Sequence, residues 1–232
     1  MSRKAVIVLS GGLDSTTCMG IARRDGYELY PITFHYNQRH DREVEHAKRV
    51  ARFYGVHDRH KIVDVSFLGQ IGGSSLTDLS MDVPDGGSEE GIPNTYVPAR
   101  NLIFLSLATA YAEVIGATRI YTGVTAVDYS GYPDCRPEFI ASLTETVNLA
   151  TRMGVTSGEK ISIETPLIRL TKGEIIRVGL ELGVPYELTT SCYNGEEEAC
   201  GECDSCRLRL KGFAENGTED PIPYRKRPNV AG

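Results

Sequence analysis

Residues 9–15 read Leu9-Ser10-Gly11-Gly12-Leu13-Asp14-Ser15. Paired glycines between an apolar run and a helical segment leave several main-chain N–H groups able to face an anion, and the helix start adds its partial positive charge. Phosphate binding is the chemistry on offer. The segment is not a Walker A loop, because no Gly-Lys-Ser/Thr follows, and it lacks the Gly-x-Gly-x-x-Gly spacing of dinucleotide folds. A plainer reading has the glycines making a tight turn, with Asp14 or Ser15 capping the helix and no ligand involved. The full Ser-Gly-Gly-x-Asp-Ser string, placed after a first strand, favours the anion.

A second constellation lies in the last fifth of the chain, where Cys192 is followed by Cys200, Cys203 and Cys206. Four soft ligands can close a tetrahedral zinc shell, which points to a structural rather than a catalytic site. An iron-sulfur cluster is the competing metal group, but there a fourth Cys usually follows the Cys-x-x-Cys-x-x-Cys run, and here it precedes. Ordinary buried or disulfide-bonded cysteines are the bland alternative. The clustering argues for a metal in a reducing compartment, with which the cytoplasm is consistent. Arg207, Arg209 and Lys211 either offset the charge of a four-thiolate centre or form a solvated helix face. A zinc ribbon could also serve a nucleic-acid-binding module, but Glu196-Glu197-Glu198 inside the cluster would repel phosphate.

Two polar loops complete the inventory. In 93–101, Arg100 offers a bidentate partner for phosphate or carboxylate, while Asn101 caps a helix or binds ligand, the cap being favoured. In 128–136, Asp128, Tyr132, Asp134 and Arg136 combine carboxylates with a flat aromatic face, which suits a heteroaromatic base; a tyrosine-rich turn without ligand is the alternative. Cys135 reads as a pocket-lining residue. Lys172, in the first turn of a later helix, reaches phosphate or simply lies at the surface.

The elements that must position these groups alternate. Strands are expected over 5–10, 28–36, 60–65, 119–124 and 161–168, and helices over 15–24, 42–54, 101–115, 137–153 and 172–182. The helix over 101–115 is almost wholly apolar and is expected to be buried against a sheet. This order predicts an α/β fold, an open parallel five-stranded sheet with helices on both faces and ligands at the carboxyl ends of its strands. Residues 69–98, rich in Gly, Ser, Asp and Pro, are expected to form a long loop, either functional or mobile. The division expected is a nucleotide-binding domain over 1–185 and a small zinc-binding extension over 186–232 packed on it.

The composition bounds the function. With 232 residues, 41% of them hydrophobic and 24% charged, the chain can bury a sizeable core. No apolar run approaches the ~20 residues of a membrane span, and no targeting segment is read. A formal net charge of -6 gives no global attraction to nucleic acid or anionic lipid.

The Ser10–Ser15 string resembles the pyrophosphate loop of the N-type ATP pyrophosphatases. Together with Pro-Asn-Thr-Tyr-Val-Pro-Ala-Arg-Asn (93–101), Asp-Tyr-Ser-Gly-Tyr-Pro-Asp-Cys-Arg (128–136) and the cysteine spacing, it makes the chain similar to the 7-cyano-7-deazaguanine synthases over residues 5–212. That resemblance implies an adenine nucleotide alpha hydrolase-like, Rossmann-like fold. It also implies a homodimeric carbon-nitrogen ligase of queuosine biosynthesis that uses ATP, Mg²⁺ and Zn²⁺ and takes 7-carboxy-7-deazaguanine and ammonia as substrates. The nucleotide would lie on Leu9, Ser10, Gly11, Gly12, Leu13, Asp14, Ser15, Thr16, Thr17, Phe34 and Arg100. Asp14, Ser15 and Lys172 would be catalytic; Asn101, Asp128, Tyr132, Asp134 and Arg136 would bind substrate; the four cysteines would hold zinc. Some members are expected to carry Gly at Ala99 and Gln at Leu13. A tRNA-modifying adenylating or sulfur-transfer enzyme of the same superfamily is the alternative within the fold.

Overall fold

In a computed structural model, which describes residues 3–36, 42–78, 80–81, 91–127, 131–194 and 197–227, five strands form one parallel sheet in the order β3-β2-β1-β4-β5. They are β1 (Lys4–Val8), β2 (Glu28–His35), β3 (Lys61–Asp64), β4 (Arg119–Tyr121) and β5 (Ser162–Glu164). The helices are α1 (Leu13–Arg24), α2 (Arg42–Phe53), a single turn α3 (Phe67–Ile71), α4 (Arg100–Ile115), α5 (Pro137–Ala150), α6 (Lys172–Glu181) and α7 (Asp204–Glu215).

The two faces follow from the strand period of two. Ala5, Ile7 and Leu9 join one core with Cys18 and Met19 of α1, Ala47 and Val50 of α2 and Ile175 of α6. Val6 and Ile120 point the other way, into a core with Phe104 and Leu105 of α4 and Ile140 and Leu143 of α5. A parallel sheet buried on both faces needs such continuous apolar strands, and the expected two-sided α/β architecture is what the chain adopts. The chain winds outward from β1 to β3, then returns to place β4 on the other side of β1. The crevice above the carboxyl ends of β1 and β4 is therefore the switch point where such sheets take ligands.

Several boundaries differ from expectation. The N-cap of α1 is Gly12, not Asp14 or Ser15. The hydroxyls of Ser15 and Thr16 instead donate back to the Gly12 carbonyl at 3.0 and 2.8 Å. Strand β5 pairs only over Ser162–Glu164, because Pro166 lacks the N–H a longer ladder needs. Helix α5 ends at Ala150, after which Met153–Ser157 winds as a π-helical turn. Helix α4 packs against the sheet as expected, with Phe104, Leu105 and Ala108 in one core with Val6 and Ile120, and its outer side leaves Val114 82% and Leu102 40% exposed.

Beyond α6 the chain stays attached to the main core. Phe213 of α7 packs with Tyr186 in the same cluster as α1. The cysteines form a small core of their own with Ala199 and Ile222. Among the described residues no helix is long and apolar enough to cross a membrane.

Candidate active site and metal centre

A cavity of about 310 Å³ opens at the switch point, walled by the loops after β1 and β4, the start of α4 and the cysteine segment. Gly11 is in the left-handed region at φ +83°, and a Cβ there would lie 2.4 Å from the Glu43 carbonyl oxygen. Only glycine lets the turn pass this close under α2. Two amides of the loop are satisfied internally: Ser10 N–H donates to Ser15 Oγ and Gly12 N–H to Ser10 Oγ, each at 3.2 Å. For the N–H groups of Leu13, Asp14 and Ser15, in the first turn of α1, no acceptor is found among the described residues. These three residues line the cavity, so their amides and the helix dipole make an anion seat there.

Gly123, just past β4, keeps that seat open. A Cβ on it would stand 2.8 Å from the Ser15 nitrogen. Lys172 comes from the far end of the sheet, set in α6 behind the reciprocal cap of Thr171 and Glu174. Its Nζ donates to both carboxylate oxygens of Asp14, at 2.6 and 2.7 Å, with both side chains mostly buried. The surface-lysine reading of Lys172 is thereby replaced: it is a cation fixed beside the loop.

Across the cavity, Phe34 stacks on Phe104 with ring centroids 4.3 Å apart. Arg100 donates weakly to the Tyr36 hydroxyl at 3.4 Å. Burial opposes the charge of Arg100, but the Tyr36 and Tyr132 oxygens and the Glu43 and Asp134 carboxylates outweigh it and hold the guanidinium above its ordinary pKa. Burial, reinforced by the Glu43 carboxylate, pushes Tyr36 up to about 12. The Tyr132 hydroxyl shares a hydrogen bond with Thr95 Oγ1 at 2.7 Å.

The expectation that Asn101 caps α4 is corrected. The N-cap is Ala99, in the left-handed region at φ +56°, and the capping carboxylate is that of Asp134. Its Oδ2 accepts the Asn101 N–H at 2.8 Å, and its Oδ1 the Asn101 side-chain amide at 3.3 Å. The same amide reaches Cys135 Sγ at 3.2 Å. Burial and the neighbouring Asp134 push the Cys135 thiol up to about 12, so at neutral pH it is a neutral wall residue, not a nucleophile.

Of the candidate residues, Leu9, Ser10, Gly12, Leu13, Asp14, Ser15, Phe34, Arg100, Asn101, Tyr132 and Lys172 meet around the cavity. Gly11 supports the loop from beneath. Thr16 and Thr17 do not line it: they are fully buried, bonded to helix carbonyls, and Thr17 also to the Tyr186 hydroxyl. Asp134 is buried behind Asn101, and Arg136 is exposed, its Nε on the Pro133 carbonyl. Asp128 lies outside the described residues. Tyr36, Glu43 and Gly123, which also line the cavity, are not among the expected residues; Tyr36 follows directly on β2, a position that could have marked it, and the other two carry no local signal. Arg209, expected to offset thiolate charge or to lie on a solvated helix face, is buried instead and lines the cavity.

The four cysteine Sγ atoms lie within 4.8 Å of one another, with Cys200 and Cys206 3.9 Å apart. Tetrahedral zinc with ~2.3 Å bonds to sulfur requires sulfurs ~3.8 Å apart, so the cluster fits a single ion. Main-chain N–H groups of Glu202 and Cys203 donate to Cys200 Sγ, and that of Cys200 to Cys192 Sγ, at 3.3 to 3.4 Å. Donors aimed at sulfur favour the thiolate, and hydrogen bonds from Cys203 and Cys206 hold Cys192 well below the ordinary thiol range. Cys192 also lines the cavity, so the four-cysteine cluster shares a wall with the candidate active site.

The architecture is similar to that of a 4-thiouridine synthetase solved with RNA and bound ATP, at 20% identity and a TM-score of 0.51 over 91% of this chain and 53% of that one. It is also similar to a predicted tRNA methyltransferase subunit from Methanocaldococcus jannaschii, at 16% identity and 0.52 over 99% and 97%. Both likenesses are of fold, a parallel α/β sheet of Rossmann-like architecture with its cavity at the β1/β4 switch point. The family described as queuosine biosynthesis protein QueC matches residues 4–217, and the chain belongs to it. A 7-cyano-7-deazaguanine synthase of Oceanobacillus iheyensis is 61% identical over 222 residues, covering 96% of this chain and 98% of that protein. One from Acetivibrio thermocellus is 55% identical over 225 residues, covering 97% and 99%. The resemblance read from the motifs is borne out.

Proposed function

We propose that the chain converts 7-carboxy-7-deazaguanine, ammonia and ATP into 7-cyano-7-deazaguanine by two rounds of adenylation at one site. The observation that carries this reading is the open first turn of α1, its amides beside the Lys172–Asp14 pair at the switch point. In the first round a substrate carboxylate oxygen attacks the α-phosphate and pyrophosphate departs; ammonia then displaces AMP to leave a primary amide. In the second round the amide oxygen attacks another ATP, and loss of that oxygen with AMP, together with two protons, leaves the nitrile.

The protein's part is positional and electrostatic. The amides of Leu13, Asp14 and Ser15, with the hydroxyls of Ser10 and Ser15, seat the β and γ phosphates over Gly11 and Gly12. Thr16 and Thr17 support this turn from behind. Asp14 keeps the Lys172 cation beside the leaving pyrophosphate. Mg²⁺ would be held by phosphate oxygens, with Asp14 as the nearest carboxylate. Adenine would lie against Phe34, with Arg100 on substrate carboxylate or phosphate. Tyr132 and Asn101 face the deazaguanine; Asp134 acts through Asn101, and Asp128 and Arg136 belong to the same recognition segment. The four thiolates would hold Zn²⁺ as a structural ion in a 186–232 extension that closes the 1–185 nucleotide-binding body. Free ammonia as nitrogen source, a homodimer and a cytoplasmic setting complete the proposal. Incubation with the acid, ammonia and ATP should give nitrile by mass spectrometry and AMP by chromatography. ADP as the sole nucleotide product overturns the adenylation steps, and no nitrile overturns the whole.

A further inference from the structure

Residues 186–192 run from the core to the cysteine cluster and touch the phosphate loop on the way. Thr190 N–H donates to the Gly11 carbonyl at 3.0 Å, and Thr190 pairs with Gly12 as an isolated parallel bridge. Leu188 O meets His46 Nδ1 of α2 at 2.6 Å. Two residues beyond Thr190, Cys192 gives its Sγ to the metal cluster.

Arg209 fastens this strap from the other side. It lies on α7 one turn after Cys206 and is 1% exposed. Its Nε and Nη2 donate to the two oxygens of Asp220 at 2.7 and 3.0 Å. Its Nη1 donates to Thr189 Oγ1 at 2.8 Å and Ser191 Oγ at 3.2 Å, and Nη2 also to the Tyr186 carbonyl at 3.1 Å. A guanidinium has five N–H donors, and all five are engaged. Asp220 in turn accepts from the Ile222 N–H and the Tyr224 hydroxyl, so the wall behind the cysteines is tied to the same pair. Although Arg209 lines the cavity, it has no donor left for a phosphate. Its geometry is that of a positioning residue.

We infer that the 186–192 strap, locked by Arg209, couples the cysteine metal centre to the phosphate loop, so that nucleotide affinity depends on metal occupancy and on Arg209. The inference rests on the reading that the loop seats a triphosphate. Without the metal, Cys192 loses its anchor and Thr190 its fixed position under Gly11. Lysine at 209 keeps the charge but offers donors from a single point, which cannot span Asp220, Thr189, Ser191 and Tyr186 together.

The test compares zinc-loaded wild type, chelator-treated wild type and Arg209→Lys. Each is measured for metal content by atomic emission, secondary structure by circular dichroism and Kd for a non-hydrolysable ATP analogue by calorimetry. Metal removal and R209K are each expected to weaken the analogue by about tenfold or more, with R209K retaining its zinc and its secondary structure. Should R209K not fold, Thr189→Val, which removes one acceptor, is expected to weaken binding about threefold. Equal affinity in loaded and stripped protein, or in a folded, metal-loaded variant, overturns the coupling. Failure of the zinc-loaded wild type to bind the analogue overturns the triphosphate reading instead.

Discussion

Lys172 and Asp14, 158 positions apart in the chain, meet as a two-pronged ion pair at 2.6 and 2.7 Å beside the glycine turn. The sheet makes this possible: α1 leaves β1 and α6 enters after β5, yet both pack on the same face in one core. In the adenylation proposed above, that cation would stand where negative charge develops on the departing pyrophosphate.

Lys172→Met removes that cation. Activity, as kcat/KM for nitrile formation, is expected to fall by about 10²- to 10³-fold. The side chain of Asp14 is 29% exposed and can be solvated, so the variant should still fold. Circular dichroism and steady-state kinetics on the same preparation check this; retention of near-wild-type kcat/KM contradicts it.

Gly123→Ala tests the open seat at α1. The new methyl would press on the Ser15 nitrogen and on the Asp14 carbonyl carbon, at 2.8 and 2.9 Å, both backbone atoms that cannot swing aside. Affinity for an ATP analogue should fall by about tenfold or more, since a blocked anion seat loses charge-assisted hydrogen bonds. Calorimetry showing unchanged affinity in a folded G123A protein contradicts the placement.

The glycine loop and the cysteine spacing are legible in the sequence because each is a local pattern whose chemistry follows from a few adjacent residues. The sheet is legible too, since residues 5–9 carry the continuous apolar run of a central parallel strand. The features that escape a sequence reading are remote ones. The cap on Asn101 comes from Asp134, 33 residues away, and Arg209 finds its partners in two loops with no pattern of their own. For α4, an apolar composition all round does not say which side the sheet will cover, and Val114 ends up exposed.

Ala99 shows a local conflict that structure explains. At φ +56° it occupies a conformation that costs a residue with a Cβ ~1–2 kcal/mol. Elsewhere a change from Ala to Gly costs roughly 0.5–1 kcal/mol in chain entropy. Here the relief of strain offsets it, so Ala99→Gly is expected to leave the protein equally stable or up to about 1 kcal/mol more stable. Denaturant unfolding that shows a loss of about 1 kcal/mol or more contradicts the assignment.

His60 gives the fold a pH dependence of known sign. Burial, with a smaller contribution from Lys48, lowers it from 6.5 to about 4 in the folded state, where its Nε2 meets Thr33 Oγ1 at 2.7 Å. Below pH 6.5 the unfolded chain takes up a proton that the folded chain refuses, so this contribution to stability falls as pH drops and levels off near pH 4. His60→Gln should show a shallower loss of Tm than wild type between about pH 7 and pH 5. Identical slopes rule out His60 as a contributor.

The most direct measurement is a crystal structure of the protein with a non-hydrolysable ATP analogue. The β and γ phosphates are expected on the N–H groups of Leu13, Asp14 and Ser15, with Lys172 Nζ beside the bridging oxygen and adenine near Phe34. A nucleotide bound away from the β1/β4 crevice, with those amides closed off by the protein's own side chains, would contradict the assignment.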